Sequence, residues 1–137
     1  MLALVEHAAE RVEVALLEQL GKPFEQATAA ERHRAYVHVT ADEQVSRAEY
    51  AVYAEASYRP ALTAPWIERM ARRFDLPPGT PPATRARLTA ARLAADGLWA
   101  ADTTGVLLVD PGDRAAVLAA LDALTRDVAD HSERTTP

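Results

Sequence analysis

Apolar side chains recur at intervals of three and four positions through most of the chain, which is the spacing of one face of an α-helix. Sustained alternation of apolar and polar residues, which is typical of a half-buried β-strand, does not occur. Alanine is abundant, and runs of β-branched residues are nearly absent. The pattern therefore predicts an all-α fold of about six helices.

Capping residues and prolines divide this pattern into separate helices. Gly21 suits the left-handed backbone that often follows a helix, and Thr28 with Glu31 forms a capping box at the start of the next one. Pro65 is expected in the first turn of the fourth helix, and Asp110 is expected to cap the last. The predicted helices cover about residues 2–20, 28–39, 43–58, 63–74, 82–104 and 111–128.

Composition limits the class of protein. With 137 residues, 49% of them hydrophobic, we predict one domain over residues 1–130 and a disordered polar tail over residues 131–137. No stretch approaches the roughly 20 apolar residues of a membrane span, and we see no signal peptide. The lack of cysteine excludes disulfides and thiol chemistry and favours a cytoplasmic location. A net charge of −5 argues against direct DNA binding by this chain.

The last two predicted helices carry mostly small and aliphatic side chains. A stripe of small residues lets another helix approach closely, and two such helices paired with their copies across a two-fold axis would form a four-helix bundle. Spacing supports equally a second interpretation, in which these helices only cover the first four. The candidate dimer-interface residues are Ala90, Ala94, Gly97 and Ala101 on the fifth helix and Val117, Leu121, Leu124 and Val128 on the last.

Most aromatic residues belong to the first four helices. Ligand pockets are mostly apolar, with a few polar groups that orient the ligand, and tyrosine hydroxyls could supply those groups. The same residues could instead fill an ordinary core, which spacing alone favours. Trp99 lies about 200° around the helix from Gly97, so it should face the interior rather than the stripe. The candidate ligand-binding residues are Tyr36, Tyr50, Tyr53, Ser57, Trp66, Met70 and Trp99.

Catalytic and metal-binding patterns are weak. His7 and Glu10 are three positions apart on one helix but have no third ligand nearby, so we predict no metal site. The serines lack a glycine elbow and a convincing base, which argues against nucleophilic catalysis. Asp96 and Asp102 point to different sides of their helix, and we expect Asp96 to pair with an arginine across an interface. We therefore predict no catalytic residues and no cofactor.

Two stretches carry a resemblance to a known family. The segment LALVEHAAERVEVALLEQL near the start and RLAADGLWAADTTG near the end resemble the C-terminal, ligand-binding and dimerisation domain of TetR-type transcriptional regulators. The order of the helices between these segments also resembles that of the domain. The resemblance covers nearly the whole chain. The stretch from Arg92 to Trp99 is the most telling.

The resemblance implies a function of two parts. It implies a homodimer that binds a small, mostly apolar or aromatic effector, and it implies that the helix-turn-helix module that reads DNA is absent from this chain. An alternative is a helical interaction protein that acts by homo- or heterodimerisation without a small-molecule ligand. A helical enzyme ranks last, because no catalytic constellation is present.

Overall fold

The structure, a computed structural model, describes residues 1–126, with the side chains of residues 43–46 excepted. Over that range the chain is all-α and contains no β-strand, which confirms the predicted fold class. Val128 and the predicted tail lie outside the described residues. The helices are α1 (Leu2–Leu20), α2 (Ala29–Ala41), α3 (Glu43–Ala56), α4 (Pro60–Phe74), α5 (Pro82–Thr104) and α6 (Arg114–Leu124), with a single 3-10 turn at Phe24–Gln26 between α1 and α2.

Local signals set most helix ends where the sequence predicts them. Gly21 and Gly105 adopt left-handed backbone with φ of 67° and 74°, and each donates its N–H to a carbonyl of the last turn. The Thr28 side chain accepts the N–H of Glu31, and the Glu31 carboxylate accepts the N–H of Thr28. Both halves of the predicted capping box are therefore present.

Two predicted helix starts are wrong. Helix α4 begins at Pro60, because proline at a first helical position gives up an N–H that has no partner there, and Pro65 consequently lies inside the helix. Helix α6 begins at Arg114, with Asp113 in the N-cap position. Asp110 instead accepts the N–H of Gly112 at 2.8 Å and closes a turn that precedes the helix.

Helix α1 packs against α2, α3 and α4, and α5 packs against α2, α3 and α6, so the hydrophobic core lies between these helices. Val5 faces this core and is 1% exposed, whereas the neighbouring Leu4 is 56% exposed. Polar contacts add to the packing of α6. Arg114 donates two hydrogen bonds to the Asp102 carboxylate and one to the Ala41 carbonyl.

No helix of the described range combines the length and the apolar character that spanning a membrane requires.

Candidate functional site

A cavity of about 190 Å³ separates α4 from α5, which make little direct contact with each other. One wall comes from α4 and the other from α5, and side chains of α2 and α3 complete it. The residues that line it are Tyr36 on α2, Tyr53 on α3, Trp66, Ile67, Met70 and Phe74 on α4, and Arg92, Asp96 and Trp99 on α5.

Three of the lining aromatic rings pack against one another in the cavity wall. The Tyr53 ring lies 5.2 Å from that of Trp66 and 6.3 Å from that of Trp99, measured between centroids. The two tryptophan rings are 6.1 Å apart and inclined by only 27°. Both tryptophans are buried, and Tyr50 packs edge-on against Trp99 at 5.1 Å. The wall is thus a continuous aromatic surface contributed by three helices.

The polar end of the cavity is built around the Asp96 carboxylate. The hydroxyl of buried Tyr36 donates a hydrogen bond to Oδ1 of Asp96. The nearest guanidinium nitrogen of Arg92, one turn earlier on α5, is 3.7 Å from Oδ2. The side chains of Arg92 and Asp96 are 38% and 44% exposed, so the cavity opens to solvent at this end.

The surroundings shift the acid–base properties of this end. Burial raises the pKa of Asp96, although the Tyr36 hydrogen bond and the charge of Arg92 act in the opposite direction. Burial, followed by the nearby Asp96 charge, raises the pKa of Tyr36 well above its ordinary value. The same two causes raise the pKa of Tyr53. Both tyrosines therefore stay neutral and keep their hydroxyl protons at physiological pH.

His33 supports the cavity from behind. Its ring packs edge-on against Phe74 at 5.3 Å, and Phe74 also lies 4.9 Å from Tyr36. Nδ1 of His33 is 2.7 Å from the Ala29 carbonyl, which can only accept, so this nitrogen carries the proton. Burial lowers the pKa of His33, and the charges of Arg92 and Arg32 lower it further.

The structure brings five of the seven candidate ligand-binding residues to this cavity. Tyr50 lies behind Trp99, and Ser57 lies outside, exposed at the end of α3 with its hydroxyl donated to the Ala54 carbonyl. Asp96 bonds to Tyr36 of its own chain, and its predicted partner across an interface is thus replaced by one inside the fold. The five lining residues are Tyr36, Tyr53, Trp66, Met70 and Trp99.

Sequence reasoning missed four of the lining residues. Arg92 and Asp96 are four positions apart, and Trp99 follows three positions later, so all three share one face of α5. That spacing was a usable signal for a polar group beside an aromatic wall. Ile67 and Phe74 carried no such signal, because they extend the apolar side of α4 on which Trp66 and Met70 lie.

The small-residue stripe of α5 lies on the surface. Ala90 and Gly97 are exposed, Ala94 and Ala101 are half-buried, and Leu93 is 58% exposed between them. A Cβ atom added at Gly97 would meet no atom within 4 Å outside its own helix and immediate neighbours. The fold of the single chain therefore does not require glycine at this position.

The predicted seam of α6 faces inward instead. Leu121 is 9% exposed, and Val117 and Leu124 pack against the hydrophobic core of the same chain. Apolar periodicity located the apolar face of the helix, and the packing favours the second interpretation for this face, in which α6 covers the other helices of its own chain. The surface of α6 is formed by alanines, namely Ala116, Ala119, Ala120 and Ala123.

Within residues 1–126, no group of three or more acidic or histidine side chains is arranged to hold a metal ion. The fold and the cavity define an all-α domain with an internal aromatic site. The family model described as "Tetracyclin repressor-like, C-terminal domain" matches residues 30–126. The chain belongs to this family, which confirms the resemblance drawn from the sequence. No curated protein and no solved structure matches the chain significantly.

Proposed function

We propose that this chain is the effector-sensing and dimerisation domain of a TetR-type regulator, and that a small, mostly apolar compound binds in the cavity between α4 and α5. The role is one of binding, without catalysis, in the cytoplasm. The observation that carries the proposal is the cavity itself, in which an aromatic wall faces one half-exposed carboxylate. That combination of apolar lining and few polar groups is typical of ligand sites.

The size of the cavity limits the effector. An engineered apolar cavity of about 150 Å³ binds benzene, whereas drug-sized ligands occupy roughly 300 Å³ or more. A volume of about 190 Å³ therefore suits a compound with one ring or two fused rings. Met70 lines the cavity beside the rings, and its flexible side chain can adjust to the ligand's shape.

Dimerisation is supported by the outer surface of α5 and α6. These helices pack against each other, and their exposed sides carry mostly small residues together with Leu93. Small side chains allow the close helix approach of a four-helix bundle formed with a second copy across a two-fold axis. The interface proposed for this surface consists of Ala90, Leu93, Ala94, Gly97 and Ala101 on α5 and of Ala116, Ala119, Ala120 and Ala123 on α6.

Helix α1 is placed to receive a signal from the cavity. Arg69 lies 3.4 Å from Glu10 and 3.7 Å from Glu13, and Arg73 donates to Glu13 at 3.2 Å. Both arginines belong to α4, whose other side lines the cavity. If α4 can take two positions relative to α1, a ligand with a higher affinity for one of them would favour that position and thereby shift α1. In a complete regulator, α1 connects to the DNA-reading module.

A thermal-shift screen of one- and two-ring aromatic compounds tests the proposal, with each hit measured by isothermal titration calorimetry. Met70→Trp, which fills the cavity, should abolish binding of every hit. Tyr58→Trp adds the same ring at a position that is 87% exposed and should leave binding unchanged. If no compound of a broad library binds, the cavity is part of an ordinary core, and the chain acts as an interaction protein through α5 and α6 alone.

A further inference from the structure

We infer that the cavity selects a small organic cation, namely a primary amine on a one- or two-ring aromatic body, whose ammonium group meets Asp96 while its ring lies against Trp66 and Trp99. This inference rests on the proposed sensing function and names the chemical class of its ligand. It follows from the hydrogen-bonding capacity of Asp96 and Tyr36, from the aromatic wall and from the exposed position of Arg92.

The Asp96 carboxylate has capacity left for a donor from the ligand. Its Oδ1 accepts the Tyr36 hydroxyl, while Oδ2 lies 3.7 Å from Arg92, which is too far for a hydrogen bond. A carboxylate carries about four acceptor sites and no donor when it is ionised. An ammonium group could therefore bond to Oδ2 without displacing the Tyr36 hydroxyl.

Tyr36 itself is oriented to favour a cation. Its only proton is donated to Asp96, so the hydroxyl oxygen presents lone pairs to the rest of the cavity. A ligand donor is thus met by two acceptors on neighbouring side chains. A ligand anion placed at the same point would meet the lone pairs of one residue and the negative charge of the other.

The aromatic wall, like Asp96 and Tyr36, favours a positively charged ligand group. The faces of aromatic rings carry partial negative charge and attract cations, most strongly for tryptophan. Trp66, Trp99 and Tyr53 line the cavity as one wall with ring centroids 5.2–6.3 Å apart, so a cation in the cavity has more than one ring beside it. The aromatic body of the ligand packs against the remaining ring surface.

Arg92 is the one cationic residue in the cavity lining, and its position allows its side chain to move away from Asp96. Its side chain is 38% exposed at the open end, and its contact with Asp96 is long. An arginine in this position can turn toward solvent when an ammonium group takes its place beside the carboxylate. Removing its charge should therefore strengthen the binding of a cation.

Three probes of nearly equal shape and different charge test the inference by calorimetry at neutral pH. They are phenethylamine, which is a cation, 2-phenylethanol, which is neutral, and phenylacetate, which is an anion. Phenethylamine should bind about tenfold or more tightly than 2-phenylethanol, because hydrogen bonds between charged groups contribute more than those between neutral ones. Phenylacetate should bind least.

Substitutions assign the preference to residues. Asp96→Asn should remove the advantage of phenethylamine over 2-phenylethanol while leaving the affinity for the alcohol nearly unchanged. Arg92→Gln should tighten the binding of phenethylamine. Glu68→Gln removes an exposed carboxylate on α4 outside the cavity and should alter neither value. The comparison of the three probes on the unaltered chain does not depend on how any variant folds.

The outcomes separate this inference from the proposed function. Tightest binding of phenylacetate, lost in Arg92→Gln, would make the cavity an anion site and overturn the inference. Equal binding of all three probes would also overturn it, because charge would then play no part, while the sensing function would stand. Failure of these probes and of every compound in the wider aromatic library would overturn both.

Discussion

Tyr36 and Asp96 are separated by 60 residues in the sequence and meet at the polar end of the cavity, where the phenol donates a hydrogen bond to the carboxylate. The contact joins α2 to α5 and determines which carboxylate oxygen stays available to a ligand. It also compensates in part for the burial that raises the pKa of Asp96. One hydrogen bond thus joins two helices and lowers the pKa of Asp96, and it would also shape the proposed ligand site.

Replacing Tyr36 by phenylalanine should separate these contributions. The change removes the hydroxyl and keeps the ring against Phe74, so the free energy of unfolding should fall by about 1–2 kcal/mol. The pKa of Asp96 should rise further, because the lost hydrogen bond lowers it. Urea denaturation and an NMR titration of the Asp96 carboxyl measure the two effects. Tyr58→Phe, at an exposed tyrosine, is the control and should change neither.

Stability should depend on pH through His33. Its pKa is lowered in the folded chain, so the unfolded chain takes up a proton first as the pH falls below about 6.5. The free energy of unfolding should therefore fall over that range and level off below the folded pKa. Asp96 acts in the opposite direction at lower pH, because its raised pKa favours protonation of the folded chain.

Thermal unfolding between pH 7.5 and pH 5 measures this dependence. His33→Gln should flatten the decline, whereas His7→Gln, at an exposed histidine of α1, should leave it intact. An identical decline in both variants would remove His33 from the explanation.

Gly97→Leu should act in opposite directions on the single chain and on the proposed dimer. No neighbour blocks a side chain at this position, and leucine favours a helix over glycine by up to about 1 kcal/mol, so the monomer should become more stable. The bulk of leucine should prevent the close approach of a second copy and weaken the dimer. Sedimentation velocity measures association, with Ala51→Leu on the exposed side of α3 as control. An unchanged dimer would exclude this stripe from the interface.

Two arginine pairs should differ sharply in their contribution to stability. Arg114 and Asp102 are 27% and 14% exposed and share two hydrogen bonds, so Arg114→Ala should cost about 2–4 kcal/mol by leaving a largely buried carboxylate without its partner. Arg72 and Glu68 are both about 70% exposed, and Arg72→Ala should cost less than about 0.5 kcal/mol. Chemical denaturation of both variants gives the comparison, and equal losses would contradict it.

Local signals made most of the helices predictable. The capping box at Thr28 and the glycines after α1 and α5 act within a few residues, so the sequence alone locates those ends. The start of α6 was mispredicted because the Asp110 side chain, expected to cap the helix, instead closes a turn before it. Arg114 at the start of the helix bonds to the Ala41 carbonyl, a partner that is distant in sequence and that no local pattern reveals.

The candidate site was predictable only in part for the same physical reason. Aromatic residues at helical spacing on α2, α3 and α4 indicated an interior, and the direction of Trp99 followed from its angle to Gly97. The pairing of Tyr36 with Asp96 depends on how α2 packs against α5, which no local pattern specifies. Periodicity likewise shows that α6 has an apolar side but not whether its own core or another subunit covers that side.

The aromatic wall has a consequence for how this protein can be observed. Trp66 and Trp99 are the only tryptophans in the sequence, and both line the cavity. Intrinsic fluorescence excited at the red edge of the absorption band therefore originates almost entirely from this one site. A change in its intensity or colour on adding a compound would report an event at the cavity, so the chain carries its own label-free optical probe.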